Sequence, residues 1–548
     1  MVTVPPWLPL TQLAVLTVLL GSLLVVRWFD RTHEWGRRRR QRLLLGLPLG
    51  TLVSLLGVLA VYLFVQGGYW HWNEPLTLPF RAWSYFSPLG VALSAFAHGG
   101  PGHLVGNLTS ALVLAPIAEY AFGHYPTERG ASAFSSLRRN PYVRAFVLFP
   151  AGVLVVGLLT ATFSWGPVIG FSGVVFAFAG FALVRYPLAT VLALVAENLV
   201  GLLVAVLQRP VVVAEARPQY VTPWWAGIAV QGHLLGLFLG VVAAALVLDR
   251  SDRPPQRRLF AGTLLVASSF SLWILWWYRG GEEYVLYQGA GTALLFLIAL
   301  LVTLGLHERW ADGEFLNVPR RHVGVLLLVF PVMVVGLVAV PLGFSTVADP
   351  APPGDGPVVE VGDYTVTYAE NVTNQMVSVV NVSGLGETTE VGTSGVIVVS
   401  EDRHIWSQSL SKGRLAFDGD GQVVVGGLGW RETVGAERRG WVVPGNGSTY
   451  VVWLDPPGAE PQVAYAAEPV VAEPVVAGRR VAVVPEGGTF TVEVRRNGTA
   501  LASTAMPTEN ESVTLGGLRL VRENASVFAE AGDTRVRVAD EETYPGRQ

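Results

Sequence analysis

Apolar runs of about 20 residues, the length of a bilayer-spanning helix, recur along the chain up to Leu342 and then stop. They lie at roughly 7–28, 43–66, 102–123, 143–163, 168–184, 187–207, 225–248, 259–277, 284–306 and 322–343, and predict ten spans. Ala348–Pro357, rich in Pro, Gly and Asp, reads as a linker. Beyond it the period changes. Val358–Val366, Gly395–Val399, Gln422–Val425, Tyr450–Leu454 and Thr489–Val494 are short alternating runs separated by Gly and Asn turns, the pattern of antiparallel strands. The expected fold class is therefore an all-α polytopic membrane protein followed by an all-β, sandwich-like domain. The repeated Ala-Glu-Pro-Val-Val within 467–476 divides that domain into two subdomains split near 456–480.

Charge separates the same two parts. Residues 344–548 carry 27 acidic and 15 basic side chains, a net of −12, which leaves +9 on 1–343 of the total −3. Every second connection between spans is arginine-rich: Arg37–Arg40, then Arg138, Arg139 and Arg144, then Arg185, then Arg250, Arg253, Arg257 and Arg258, then Arg320 and Arg321. Basic loops stay in the cytoplasm, so the N-terminus is expected outside, with the first span an anchor, and the last span delivers 344–548 to the exterior. Asn-X-Ser/Thr sequons begin at Asn371, Asn381, Asn446, Asn497, Asn510 and Asn524, all in that acidic part, and these are candidate glycosylation sites. One more begins at Asn107, within a span. The chain has no cysteine, which excludes disulfides, thiolate metal sites and a cysteine nucleophile.

Two apolar segments carry the candidate chemistry: Gly170-Phe171-Ser172-Gly173 and Gly232-His233-Leu234-Leu235-Gly236. Under the arginine topology both begin inward-running helices, and at about 1.5 Å per residue both polar side chains sit roughly 8–12 Å below the outer surface. The span starting at Gly102 enters from the same side and places His103 and Asn107 on one face, with His98 just before it. Serine needs an adjacent base to become a nucleophile, a role for His233. The oxygen that turns negative during acyl transfer needs preorganised donors, for which Asn107, His103 and the Ser172 backbone N–H are candidates. Gly170 and Gly173 permit close approach of backbone and substrate. Gly236 and Gly240, facing Ala177 and Gly180, have the small-residue spacing of closely packed membrane helices. Glu119, and Glu197 with Asn198 in the sixth span, read as structural polar contacts.

At these residues the chain resembles the rhomboid family of intramembrane serine proteases. The resemblance runs through His98, His103-Leu104-Val105-Gly106-Asn107, Gly170-Phe171-Ser172-Gly173 with Ala177 and Gly180, then His233, Gly236 and Gly240, with Glu119 also matching. It covers a six-helix core at about 43–248 and implies Ser172 as nucleophile, His233 as base, no acidic third member, and Asn107 with His103 at the oxyanion. Two departures stand out. The first loop reads Arg81-Ala82-Trp83-Ser84 where the family has Trp-Arg, and Phe176 stands where the family often has the Tyr that packs on the catalytic His; Phe keeps the ring and loses the hydroxyl.

The expected organisation is an N-terminal anchor and basic loop (1–42), the catalytic core (43–248), three additional spans (249–343), a linker (344–357) and an extracellular β-rich domain (358–548). The expected activity is serine endopeptidase cleavage of transmembrane segments near the outer face of the cell membrane. Its partners would be single-span or other membrane-protein substrates and the lipid bilayer, with no cofactor, metal or nucleic acid. The alternative is a catalytically silent rhomboid-like scaffold carrying an exterior binding or adhesion domain.

Overall fold

The computed structural model describes residues 10–29, 39–123, 125, 134, 136–212, 218–249, 253–307, 314–315, 318–347, 350–354, 356–376, 391–445 and 447–547. The sequons at Asn381 and Asn446, and Arg37, Arg38 and Arg250 among the orienting arginines, lie outside the described residues. Contacts divide the chain into two compact units. One comprises Met1–Ala216, Trp225–Trp277 and Val285–Ser345; the other comprises Arg217–Trp224, Tyr278–Tyr284 and Thr346–Gln548.

The first unit is helical. Its main helices are α1 (Leu10–Phe29), α2 (Leu49–Val65), α3 (Pro101–Phe122), α4 (Pro141–Thr162), α5 (Ser172–Leu183), α6 (Pro187–Gln208), α7 (Val230–Val247), α8 (Gln256–Ser269), α9 (Gln288–Gly305) and α10 (Arg320–Ser345). Among the described residues six of these, α3, α4, α6, α7, α9 and α10, are long and apolar enough to cross a membrane, and the chain is a multi-pass membrane protein. The helices correspond to the ten apolar runs, with one difference. The run at 259–277 is helical only to Ser269, and Trp276–Gly280 pairs with Glu283–Leu286 as a hairpin. Hydrophobicity alone does not separate a buried helix from an aromatic strand. The helix stops where Ser271 takes φ +58°, a left-handed conformation a helix cannot contain, and Gly280 and Gly281, at φ +84° and +55°, turn the hairpin in the connection between the two expected spans.

Helix α5 is the centre of this unit: ten of its twelve residues are buried, Phe176, Phe178, Ala179 and Leu183 among them. It packs on α3, α4 and α7. Polar groups lock the far end of α3. Arg42 donates from Nε to Tyr120 O (2.8 Å) and from Nη2 to Ala121 O (3.0 Å), and Arg144 donates to Gly123 O (2.8 Å) and Phe122 O (2.9 Å). Two guanidinium groups thus satisfy the orphan carbonyls at a helix C-terminus, where a cation also opposes the helix dipole. Buried Glu119 reaches the start of α2, accepting from Gly50 N (2.9 Å), Thr51 N (2.7 Å) and Thr51 Oγ1 (2.7 Å). The carboxylate caps a neighbouring helix N-terminus, where N–H groups have no partners within the helix. Glu197 of α6 hydrogen-bonds Ser110 of α3, while Asn198 donates back to Leu194 O of its own helix.

The second unit is antiparallel β. Strands β1 (Val358–Val361), β2 (Tyr364–Thr373), β3 (Gly392–Ser400) and β4 (Ile405–Ser411) form a meander. Then come β5 (Asp420–Gly427), β6 (Trp430–Val443), β7 (Gly447–Asp455), β8 (Gln462–Ala466), β9 (Val470–Val471), β10 (Arg480–Glu486), β11 (Thr489–Arg496), β12 (Thr499–Ala505), β13 (Ser512–Leu515), β14 (Leu518–Glu523), β15 (Ser526–Ala531) and β16 (Thr534–Glu541). One eight-stranded sheet runs β8-β7-β6-β16-β15-β14-β13, with β5 beside β6, and β9 to β12 form another. The 14-residue β6 pairs β5 along Trp430–Glu437 and then β16 at Trp441 and Val442. A core of Trp441, Val483, Val492, Val494, Leu520, Val527 and Ala529 fills the space between the β9–β12 sheet and β13–β16.

Glu119→Gln turns an NH2 toward backbone donors and should cost about 1–3 kcal/mol, read as a lower thermal midpoint of the detergent-solubilised protein; an unchanged midpoint would refute the capping role. In the β unit, burial alone would raise the Asp363 carboxyl, but hydrogen bonds from Arg403 and Ser400 hold it below the usual range. A depressed carboxyl stabilises the fold fully above its unfolded value, about 3.9, and loses that contribution as pH falls through its folded value. The stability advantage of the wild type over Asp363→Asn should therefore be constant from pH 7 to about 5 and shrink under stronger acid, measured by thermal unfolding across pH.

Candidate functional site

Ser172 is the first residue of α5, and Phe171 just before it is fully buried and packs on Phe96 and Phe178. The serine is therefore fixed at a helix N-terminus, where free N–H groups and the helix dipole favour negative charge. His233 lies in the first turn of α7. The two helices meet along glycines. A Cβ on Gly236 would stand 2.0 Å from Gly173 O, one on Gly240 2.1 Å from Ala177 O, and one on Gly180 2.1 Å from Leu237 O. Only hydrogen fits at these three positions. The resulting backbone contact brings His233 Nε2 to 2.9 Å from Ser172 Oγ.

Phe176, one turn along α5, stacks on the imidazole at 4.3 Å between centroids and 13° between planes, and Phe270 backs it at 4.7 Å. The stacking, worth about 0.5–1.5 kcal/mol beyond burial, sets the plane of the imidazole without any hydroxyl. Among the described residues His233 Nδ1 has no hydrogen-bond partner. The serine and histidine thus form a pair with no acidic third member among the described residues.

The remaining candidates assemble around Gly170. Gly170, two residues upstream of Ser172, has φ +128°, and a Cβ there would lie 2.4 Å from His103 Cε1 and 3.5 Å from Asn107 Nδ2. His103 and Asn107 therefore stand beside the segment that leads into the serine. Asn107 is 8% exposed, and its Nδ2 has no hydrogen-bond partner among the described residues. This is a buried donor that can serve an oxygen arriving at the site. Gly170 N donates to Ser94 O (2.8 Å), which fixes the approach. His98 is fully buried and edge-on to His103 at 5.1 Å. Gly173 faces Thr160 of α4, where a Cβ would come within 2.9 Å of Cγ2.

Three supporting residues were not singled out from the sequence. Buried Gln66 accepts from His98 N (2.8 Å) and donates to His98 O (2.8 Å) and Leu76 O (2.9 Å), clamping the loop that carries His98. A lone amide at the end of an apolar run was the available signal. Phe270 and Ser94 act through packing and a backbone carbonyl, which leave no sequence signature. The loop with Arg81-Ala82-Trp83 docks nearby. Ala82 N donates to Val168 O (3.0 Å), and buried Trp83 donates to Leu78 O (2.7 Å). Among the described residues no group of three His, Asp or Glu side chains is disposed to hold a metal ion.

Residues 79–250 match the family model of the Rhomboid domain, a stretch that runs from the docked loop through α7 and includes Ser172 and His233. No curated protein and no solved structure matches the chain.

The glycine contact yields a direct test. Gly240→Val forces α7 off α5, an overpacking that costs about 1–3 kcal/mol or more, whereas Gly232→Ala meets open space. The first should lower the thermal midpoint by several degrees and the second should leave it in place. Equal midpoints would show that the helices do not touch there.

Proposed function

We propose that this protein is an intramembrane serine endopeptidase that cleaves transmembrane segments of other membrane proteins near the exterior face. The observation that carries the reading is the 2.9 Å contact between Ser172 Oγ and His233 Nε2 inside a rhomboid domain. A non-catalytic scaffold has no need of that contact, nor of a buried amide donor without a partner beside it.

In this reading neutral His233 takes the proton from Ser172 as Oγ attacks the scissile carbonyl carbon. The carbonyl oxygen becomes an oxyanion, met by the Ser172 backbone N–H, Asn107 Nδ2 and His103. Collapse of the tetrahedral intermediate breaks the C–N bond, and His233 returns its proton to the departing amine. A water molecule then attacks the acyl-enzyme, His233 accepts its proton, and as the ester bond breaks to release the new carboxyl end His233 returns that proton to Ser172 Oγ. Phe176 holds the imidazole plane through each of these proton transfers. A helical substrate must unwind to present its amide, so small or helix-breaking residues at the cleavage point are expected.

The arginine pattern orients this site. Basic connections in the cytoplasm put the Ser172 and His233 ends of their helices toward the exterior, and deliver the β unit to the same side.

Ser172→Ala and His233→Ala should each lower cleavage of a single-span substrate in liposomes by at least about 10³-fold. A fluorophosphonate probe should label the wild type and not Ser172→Ala. Absence of labelling in a correctly folded wild type would favour the scaffold reading instead.

A further inference from the structure

Six of the seven asparagines between residues 344 and 548 stand two positions before a Ser or Thr. The 29 Ser and Thr residues among those 205 positions would put about one there by chance. Elsewhere one asparagine in five does so, Asn107.

The structure separates the members of this set. Asn371, Asn497, Asn510 and Asn524 are all exposed, and all are left-handed, at φ +54°, +52°, +63° and +51°. Asn497 lies in the turn between β11 and β12, Asn524 in the turn between β14 and β15, and Asn510 just before β13. Asn371 stands where the pairing of β2 and β3 shifts register between Ala369 and Val372. Their backbones make the local bonds: Asn371 N donates to Ser394 Oγ, Asn510 N to Arg522 O, and Arg522 Nε to Asn524 O. The seventh asparagine, Asn374, has no hydroxyl residue two positions on, is 2% exposed, and accepts from Met376 N through its side chain.

Turn chemistry accounts for left-handed asparagine. It does not require a hydroxyl two residues later, and Thr373 and Thr499 stand exposed at those places. What unites the four is the acceptor pattern of N-linked glycosylation on a reachable surface.

We propose that the β unit is N-glycosylated at Asn371, Asn497, Asn510 and Asn524. The donor is an oligosaccharide linked through phosphate to a membrane lipid. The asparagine Nδ2 forms the new bond to the anomeric carbon, the carbon–oxygen bond to phosphate breaks, and the lipid phosphate departs with the electron pair while the amide releases one proton. Asn107, 8% exposed within α3, carries the same motif and stays unmodified. The proposal rests on the exterior placement of the β unit.

Full-length protein purified from its native membranes would be digested and its peptides weighed before and after enzymatic or chemical deglycosylation. Glycan mass is expected on the peptides holding the four residues and absent from those of Asn107 and Asn374. Thr499→Ala, which leaves the turn asparagine in place, should remove the increment at Asn497, and Thr499→Ser should keep it. A bare peptide at any of the four overturns that site, and bare peptides at all four overturn the proposal. Placement is read separately, since the chain has no cysteine. A membrane-impermeant maleimide on intact cells should label Thr534→Cys, an exposed position in β16. Labelling with bare peptides refutes glycosylation alone, whereas no labelling refutes the exterior placement together with the proposal.

Discussion

The backbone contact between α5 and α7 is the constraint on which the site depends. Within a bilayer no hydrophobic force draws helices together, so close packing, hydrogen bonding and lipid entropy decide their spacing. Gly236 and Gly240 bring α7 against the carbonyls of Gly173 and Ala177, and Gly180 does the same for Leu237. A methyl group at any of these points would push the helices apart. The Ser172 and His233 side chains are short, so their hydrogen bond exists only at this spacing.

Around that contact the helical unit divides its work by depth along α3. Near its start, His103 and Asn107 flank Gly170; in its middle, Ser110 takes Glu197; at its end, Glu119, Arg42 and Arg144 close the termini of α2 and α3. One helix therefore carries two polar side chains beside Gly170, an interhelical tie and a cap. The chemistry-bearing end relies on loops for its precision. Gln66 clamps the backbone at His98, and Ser94 holds Gly170. These bonds satisfy polar groups that would be costly to bury alone.

The β unit is organised by a different device. Strand β6 is long enough to pair with β5 over its first half and β16 beyond it, with β7 along the other edge. The strand thereby belongs to two packed regions at once, and Trp441 on its second half enters the core beneath β10 and β11. Ion pairs such as Asp363 with Arg403 and Glu542 with Arg438 then fix loops and the final segment to this frame.

A helical membrane part followed by a β region was legible in the chain alone, because bilayer length and strand alternation are local periods, and six of the helices among the described residues have that length. The sequence also marked Ser172, His233, His103 and Asn107, since polar side chains are rare in greasy runs and their depth follows from rise per residue. It misread 270–277 as the end of a span, where the helix stops before Ser271 and Trp276 and Trp277 enter a hairpin that turns at Gly280 and Gly281. Only the tertiary structure decided that Phe176 lies flat on the imidazole with Phe270 behind it, that Gln66 holds His98, and that Glu119 caps α2. Those partners are distant in the chain, and their contacts arise when helices pack, an event that no local period encodes.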